Sequence, residues 1–294
     1  MSDDHVYLSL AENSPEGDAR WAFGTGFEDP LHGVDPALLP GVDAAALAAR
    51  CLALGDDALV SAQRLAEWCT RAPELEEEVA LANIGLDLLG QARLLLSRAG
   101  QAQGQGRGED QLAYFRDPQD FRNVRLAELP NGDFAHCIAR LLLFSSWRLA
   151  LFQRMTGDPD PVLAAIAAKG VQELTYHRDH AAQWAVRLGD GTEESHRRMR
   201  RGLDEVWPYL DELLRTADTD LPGDLPGDLP DGLGAGLREE VEQTLRQVLD
   251  AAGIALPQVA QEPGSGRDGQ HTPYLAPLLA ELQSIARADP EATW

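Results

Sequence analysis

Apolar residues recur at three- and four-residue steps along several long stretches of the chain, which is the spacing of α-helices. The first stretch runs from about 44 to 69, and Asp43 before it is a good N-cap. The second runs from about 73 to 98, with Pro73 suited to the first helical position. Only a short turn separates the two stretches, so they are predicted to form an antiparallel helical hairpin.

The 73–98 helix is apolar on two faces. One face carries Leu75, Val79, Ala82, Leu86 and Leu89, and the nearly opposite face carries Leu81, Ile84, Leu88 and Leu95. A helix of this kind is typical of a buried position, so we expect it in the middle of a bundle.

A polar line formed by Asn83, Asp87 and Gln91 runs between the two apolar faces of this helix, which predicts a buried carboxylate. Gly85 and Gly90 lie inside the helix, where each costs about 1 kcal/mol relative to Ala. The expected compensation is the close approach of a neighbouring helix.

A second hairpin is predicted after Asp133, which can cap a helix over 134–156. Asp160 and Pro161 then start a helix that extends to about 188. Two long hairpins of comparable length predict a four-helix bundle. Additional helices are expected after Thr192 with a break near Pro208, then over 233–252, and finally to about 288. No strand pattern of any length is present, so the predicted fold class is all-α.

Two segments do not fit the helical pattern. Residues 1–42 are rich in Gly and Pro and are predicted to be a flexible N-terminal arm. Residues 219–232 include the repeat DLPGDLPGDLPDG and are predicted to be a Pro/Gly-rich insertion exposed to solvent. The predicted helical domain is therefore 43–294, with that insertion inside it.

Charge narrows the range of partners. The formal net charge is −23 and the sequence pI is about 4.5, which argues against nucleic acid and anionic membranes. The acidic start lacks an apolar run and predicts no secretory signal, and no stretch approaches the ~20 apolar residues of a membrane span. We expect a soluble, cytoplasmic protein. Cys51, Cys69 and Cys137 are expected to be buried free thiols.

Inward-facing carboxylates in a four-helix bundle suggest a di-iron or di-manganese site. Such a site takes a Glu from each of two helices and a Glu-x-x-His from each of the other two. The first helix offers Asp56, Asp57 and Glu67, none at a convincing position. The second offers Asp87, but Gly90 three residues later cannot bind a metal.

The third and fourth helices decide the question. The fourth offers Glu173 and His177, which are four rather than three residues apart, and the third, over 134–157, contains no Asp or Glu. Phe144 and Trp147 occupy the positions that should face Glu173. We therefore predict no metal ligands, with Asp87, Glu173 and His177 as candidates for a vestigial site.

Each candidate also has a purely structural interpretation. Asp87 is expected to pair with an arginine or to hydrogen-bond within its own helix; the possible partners are Arg93, Arg140, Arg148, Asn83 and Gln91. Glu173 and His177 are expected to be an i, i+4 hydrogen-bonded pair on a helix surface, and His177 with His180 is a weak surface metal site. His271 is interpreted as a turn residue.

No other catalytic pattern is present in the sequence. Ser145 and Ser146 have no base and orienting residue nearby in the chain, and there is no GxGxxG or phosphate loop. We predict no catalytic and no cofactor-binding residues.

Several segments resemble one family. EWCTRAPELEEEVALANIGLDLLGQAR, LPNGDFAHCIAR, ELTYH, RLGDGT and HTPYLAPLLAELQ, with the terminal Trp294, are similar to the C subunits of bacterial phenylacetyl-CoA epoxidases. The resemblance covers about 44–294. It implies a ferritin-like bundle that has lost its metal centre and pairs as a scaffold with a related di-iron A subunit, the one that binds the CoA thioester.

The resemblance also implies the chemistry of the whole complex. It uses O2 and electrons from NADPH, passed through a reductase with FAD and an iron–sulfur cluster, to form the ring 1,2-epoxide of phenylacetyl-CoA; a small B-type subunit is a further partner. The apolar surface of the helices over 44–69, 73–98 and 134–156 predicts an interface there. Two alternatives stay open: a di-iron oxygenase using Asp87, Glu173 and His177, and a helical adaptor outside any oxygenase.

Overall fold

The computed structural model describes residues 31–218 and 236–291. The chain divides into two compact units, Met1–Gly33 and Val34–Trp294, and the helical bundle belongs to the second. Most of the predicted arm over 1–42 and all of the predicted insertion over 219–232 lie outside the described residues, so both stay predictions.

The described residues are helical and contain no strand, which confirms the all-α prediction. The long helices are α1 (Ala44–Ala66), α2 (Leu75–Gln103), α4 (Phe134–Met155) and α5 (Pro161–Gly189). The shorter helices are α3 (Glu109–Tyr114), α6 (Glu193–Val206), α7 (Leu210–Asp218), α8 (Leu237–Ala251), α9 (Leu275–Leu282) and α10 (Ser284–Ala288).

The two predicted hairpins form the bundle: α1 packs along α2, α4 packs along α5, and α2 meets α5. Asp133 caps α4 by accepting from the amide N–H of His136 at 3.0 Å, and Asp160 caps α5 by accepting from the amide N–H of Leu163 at 2.8 Å. Helices α6 and α8 cover α4 on its other side. The result is a ferritin-like bundle with additional C-terminal helices.

Two helices, α2 and α4, are long and apolar enough to cross a membrane by length and composition alone. Core helices of water-soluble proteins can be equally long and apolar, and 89% of the apolar stretch of α4 is buried inside the protein. The sequence expectation that no stretch approaches a membrane span is therefore too strict for these two helices.

The expectation that α2 is buried on two faces is wrong. Leu81, Ile84 and Leu88 are buried against the bundle, whereas Leu75 and Leu86 on the opposite face are exposed. Asp87 is only partly buried, so the predicted buried carboxylate is not sealed from solvent. Helix α2 lies at the edge of the bundle rather than at its centre.

The expectation of three buried thiols is correct for Cys51 and Cys137 and wrong for Cys69. Helix α1 ends at Ala66 rather than 69, and Thr70 adopts the left-handed conformation with φ 70°. The turn into α2 thereby places Cys69 at the surface, outside the apolar stripe that its spacing suggested. Burial raises the pKa of the Cys51 thiol to about 12.

Candidate functional site: the polar centre of the bundle

The three vestigial-site candidates lie along the seam between α2 and α5. His177 is fully buried, and its Nε2 lies 3.0 Å from Oδ2 of Asp87. Asp87 therefore pairs with a histidine, whereas the sequence predicted an arginine or a residue of its own helix. His180 similarly faces α2, with Nε2 3.4 Å from Oε2 of Glu77.

Glu173 also differs from the expectation. It makes no hydrogen bond to His177; it accepts from Nζ of Lys169 at 2.5 Å and from Nε2 of Gln91 at 2.8 Å. Because His177 is buried and turned toward Asp87, the predicted surface pair of Glu173 and His177 is wrong. The two side chains share one helix but belong to separate contacts.

Arg148 of α4 occupies the polar centre next to Glu173. Its guanidinium is fully buried, with Nε donating to Oε1 of Gln91 at 3.0 Å and Nη2 donating to the carbonyl of Leu54 at 3.1 Å. Nη1 lies 3.8 Å from Oδ2 of Asp57, and the ring of Phe152 lies 4.4 Å below the guanidinium carbon. A long cationic side chain thus connects three helices of the bundle.

Burial and the neighbouring carboxylates shift the pKa of Arg148 in opposite directions. Burial lowers the pKa of its guanidinium to about 10, and the nearby carboxylates of Asp57 and Glu173 oppose that shift. The group is therefore a cation at neutral pH. A buried cation requires a paired carboxylate, because an uncompensated charge in the interior is costly.

The carboxylate that faces Arg148, Asp57 of α1, accepts three hydrogen bonds from other groups. It accepts from Nη2 of Arg267 at 2.6 Å, from Nη1 of Arg267 at 2.9 Å and from the amide N–H of Val124 at 2.8 Å. A continuous polar chain therefore runs from Arg267 through Asp57, Arg148 and Gln91 to Glu173.

The side chains at the polar centre do not form a ligand set for a carboxylate-bridged pair of metal ions. The helix spacing of such metal proteins calls for a carboxylate near Phe144 and Trp147 of α4. Both are buried apolar side chains, and α4 contributes the guanidinium of Arg148 to the centre instead. Within residues 31–218 and 236–291, no group of three or more His, Cys, Asp or Glu side chains could hold a metal ion. A guanidinium hydrogen-bonded through Gln91 to Glu173 would also repel a metal cation at that carboxylate.

Other buried acids anchor the C-terminal segment. Glu128 accepts from the amide N–H of Thr272 at 2.7 Å, and its Oε1 lies 2.7 Å from Nδ1 of His271. Glu212 accepts from the amide N–H of Gly266 at 2.8 Å and binds Arg125. His271 is thus a buried polar contact as well as part of a turn.

Sequence reasoning missed Asp57 and Arg267 as members of the central network. One signal that pointed to it is the absence of acids from 134–157, because a buried arginine on this helix, such as Arg148, must find its carboxylate on another helix. The sequence did indicate Arg148, but as a partner for Asp87.

Comparison with known proteins agrees with this architecture. The family model described as "Phenylacetic acid catabolic protein" matches residues 35–294. The chain is similar to the C subunit of the 1,2-phenylacetyl-CoA epoxidase of Escherichia coli (strain K12), with 42% identity over 248 residues that cover 84% of this chain and 99% of that protein. From its bundle and from this match over most of its length, the chain belongs to the phenylacetic acid catabolic protein family.

Proposed function

We propose that this chain is the structural, non-catalytic subunit of a phenylacetyl-CoA epoxidase complex in aerobic phenylacetate degradation. In this proposal it pairs with the di-iron catalytic subunit and keeps that subunit folded and soluble. The di-iron centre, FAD, iron–sulfur cluster and NADPH belong to partner subunits, which include a small B-type subunit and a reductase, and the complex works in the cytoplasm.

One observation carries the proposal: the buried guanidinium of Arg148 lies at the polar centre of the bundle, hydrogen-bonded to Gln91. In a carboxylate-bridged metal protein, several anionic oxygens converge there to balance two cations. Here an arginine supplies the positive charge and ties the helices together. In this proposal that arginine stands in place of the metal ions as the positive charge at the centre of the ferritin-like bundle.

A scaffold role also has a thermodynamic basis. A partner that binds only the folded form of the catalytic subunit stabilises that form by mass action. Obligate interfaces between subunits commonly bury about 2,000 Å² or more, enough to make one subunit depend on the other.

The first test is the metal content of the purified chain after growth with ample iron. We expect less than about a tenth of an equivalent of iron, since a complete ligand set would retain its metal through purification. Two irons per chain would overturn the proposal and favour an oxygenase that uses Asp87, Glu173 and His177 of this chain.

The second test is expression of the di-iron catalytic subunit with and without this chain. We expect the catalytic subunit to be soluble and fully active only when both are produced. A catalytic subunit that is soluble and equally active alone would contradict the scaffold role, whatever the iron content of this chain.

A further inference from the structure

The outer side of α2 is an apolar surface that the bundle leaves uncovered. Leu75, Val79 and Leu86 are 72%, 52% and 59% exposed. Together with Ala82 and Leu89 they line one side of the helix at i, i+3, i+4 spacing, over about 21 Å at ~1.5 Å per residue. We call these five residues the α2 face. A row of large exposed apolar side chains on one helix is a mark of an interaction site.

A groove of about 300 Å³ runs beside the α2 face, between α2 and the C-terminal half of α1. Small side chains form much of its wall, among them Ala62 and Ala66 of α1 and Ala82 and Gly85 of α2. Small residues allow the backbone of another helix to approach closely, and the neighbouring leucines supply apolar contacts.

Gly90 supports the same interpretation. A Cβ added at Gly90 would meet nothing within 4 Å, whereas one at Gly85 would lie 3.5 Å from Cβ of Leu65. A glycine inside a helix costs about 1 kcal/mol relative to Ala, and no packing within the described chain compensates for it at position 90. Close approach of a second chain would.

Charge identifies the kind of partner. Glu74, Glu76 and Glu78 flank the first turns of the α2 face, and no ion pair to any of them occurs within residues 31–218 and 236–291. They form an acidic end beside an apolar stripe. A partner with basic residues opposite this end would be complementary, whereas a second copy of this chain would bring another formal charge of −23.

We propose that the α2 face and its groove are the docking site for one amphipathic helix of the di-iron catalytic subunit. That helix would place apolar side chains at i, i+3, i+4 and i+7 in the groove and Lys or Arg opposite Glu74, Glu76 and Glu78. The inference rests on the proposed function and adds to it the surface through which the two subunits meet.

The test co-expresses the tagged full chain with the di-iron catalytic subunit and measures the affinity of the purified pair. Val79→Glu combined with Leu86→Glu places two carboxylates on the apolar stripe, and we expect at least about 100-fold weaker binding. The matched control is Leu39→Glu, which changes a residue that is 46% exposed and precedes α1. Leu39 does not line the groove, and the nearby carbonyl of Pro36 accepts from Arg98, close to the C-terminal end of α2 and beyond the α2 face.

A second variant tests the acidic end separately. Glu74→Gln, Glu76→Gln and Glu78→Gln together should weaken binding about tenfold at low salt and make the affinity less sensitive to added salt. Circular dichroism and thermal unfolding of each variant alone establish that the fold is intact.

The outcomes separate the two proposals. A wild-type chain that fails to bind the di-iron partner contradicts the proposed function itself. If the Val79/Leu86 variant binds the catalytic subunit as tightly as the wild type does, the docking site is wrong and the proposed function still stands. A third outcome would also overturn the docking site: the wild-type chain forms a homodimer in sedimentation analysis and the Val79/Leu86 variant is a monomer. That result would assign the α2 face to self-association.

Discussion

Helices α2 and α4 each contain an apolar stretch long enough to cross a membrane, yet 50% of that stretch is buried in α2 and 89% in α4. Helix α4 is enclosed by the rest of the bundle and contributes the buried guanidinium of Arg148 to its centre. Helix α2 buries one side and leaves Leu75 and Leu86 in solvent. Apolar content alone therefore does not distinguish a core helix from one kept apolar for a partner.

The largest expected effect comes from removing the cation at the centre of α4. Arg148→Met should lower the free energy of unfolding by about 3 kcal/mol or more, because Gln91 and the carbonyl of Leu54 lose their donor and Asp57 loses a nearby positive charge. Urea unfolding measures this loss directly.

The control for this variant lies on the same helix. Arg154 binds Glu240 at 2.7 Å in a partly exposed pair, so Arg154→Ala should cost less than about 1 kcal/mol. Equal losses for the two arginines would mean that the central network contributes nothing beyond an ordinary surface pair.

The positions of the helices along the chain could be predicted from the sequence because caps and periodicity are local signals. Asp133 and Asp160 begin the helices that they were expected to begin, and the 3₁₀ turn Trp207–Tyr209 interrupts the chain where Pro208 predicted a break. Boundaries were less exact, since α1 ends three residues earlier than its apolar spacing suggested.

The partners within the site could not be predicted in the same way. Gln91 lies 57 residues from Arg148 along the chain, and Asp57 lies 210 residues from Arg267. Periodicity places such residues on the inner side of a helix but does not say which residue of another helix stands opposite. The two-sided apolar pattern of α2 failed for a related reason: a surface suited to a partner has the same period as a core.

Two helical glycines, one in the interior and one on α2, differ in how closely other atoms surround them. A Cβ at Gly170 of α5 would lie 2.6 Å from Cδ1 of the buried Phe152, whereas one at Gly90 of α2 would meet nothing within 4 Å. Gly170→Ala should therefore lower the free energy of unfolding by about 1–3 kcal/mol through overpacking.

Gly90→Ala should have the opposite sign. It should raise the free energy of unfolding of the isolated chain by up to about 1 kcal/mol, because Ala favours the helix and no contact is disturbed. Thermal unfolding of both variants decides the sign. A destabilised Gly90→Ala chain would show that α2 is more tightly packed at this position than its surroundings indicate.

The smallest expected effect is a dependence on pH from His136, in the first turn of α4. Its Nδ1 lies 2.8 Å from Oε2 of Glu205, and its Nε2 is buried with no hydrogen-bond partner among the described residues. Burial lowers the pKa of His136, with Glu205 opposing the shift. Protonation in the folded state would create a buried N–H at Nε2 without an acceptor.

The sign of the effect follows from that lowered pKa. Below about pH 6.5 the unfolded chain takes up the proton first, so acidification favours unfolding until the lowered pKa of the folded state is reached. As the pH falls from about 7.5 to 6.0, the wild type should lose less than about 1 kcal/mol in total from this imidazole, most of it below pH 6.5, and His136→Gln should lose correspondingly less. Urea unfolding of both proteins across this range measures the difference between their losses, from which the contributions of the other titrating groups cancel because both proteins contain them. Parallel losses in the two proteins would show that the start of α4 admits water, and that the enclosure of this helix is less complete than its buried side chains indicate.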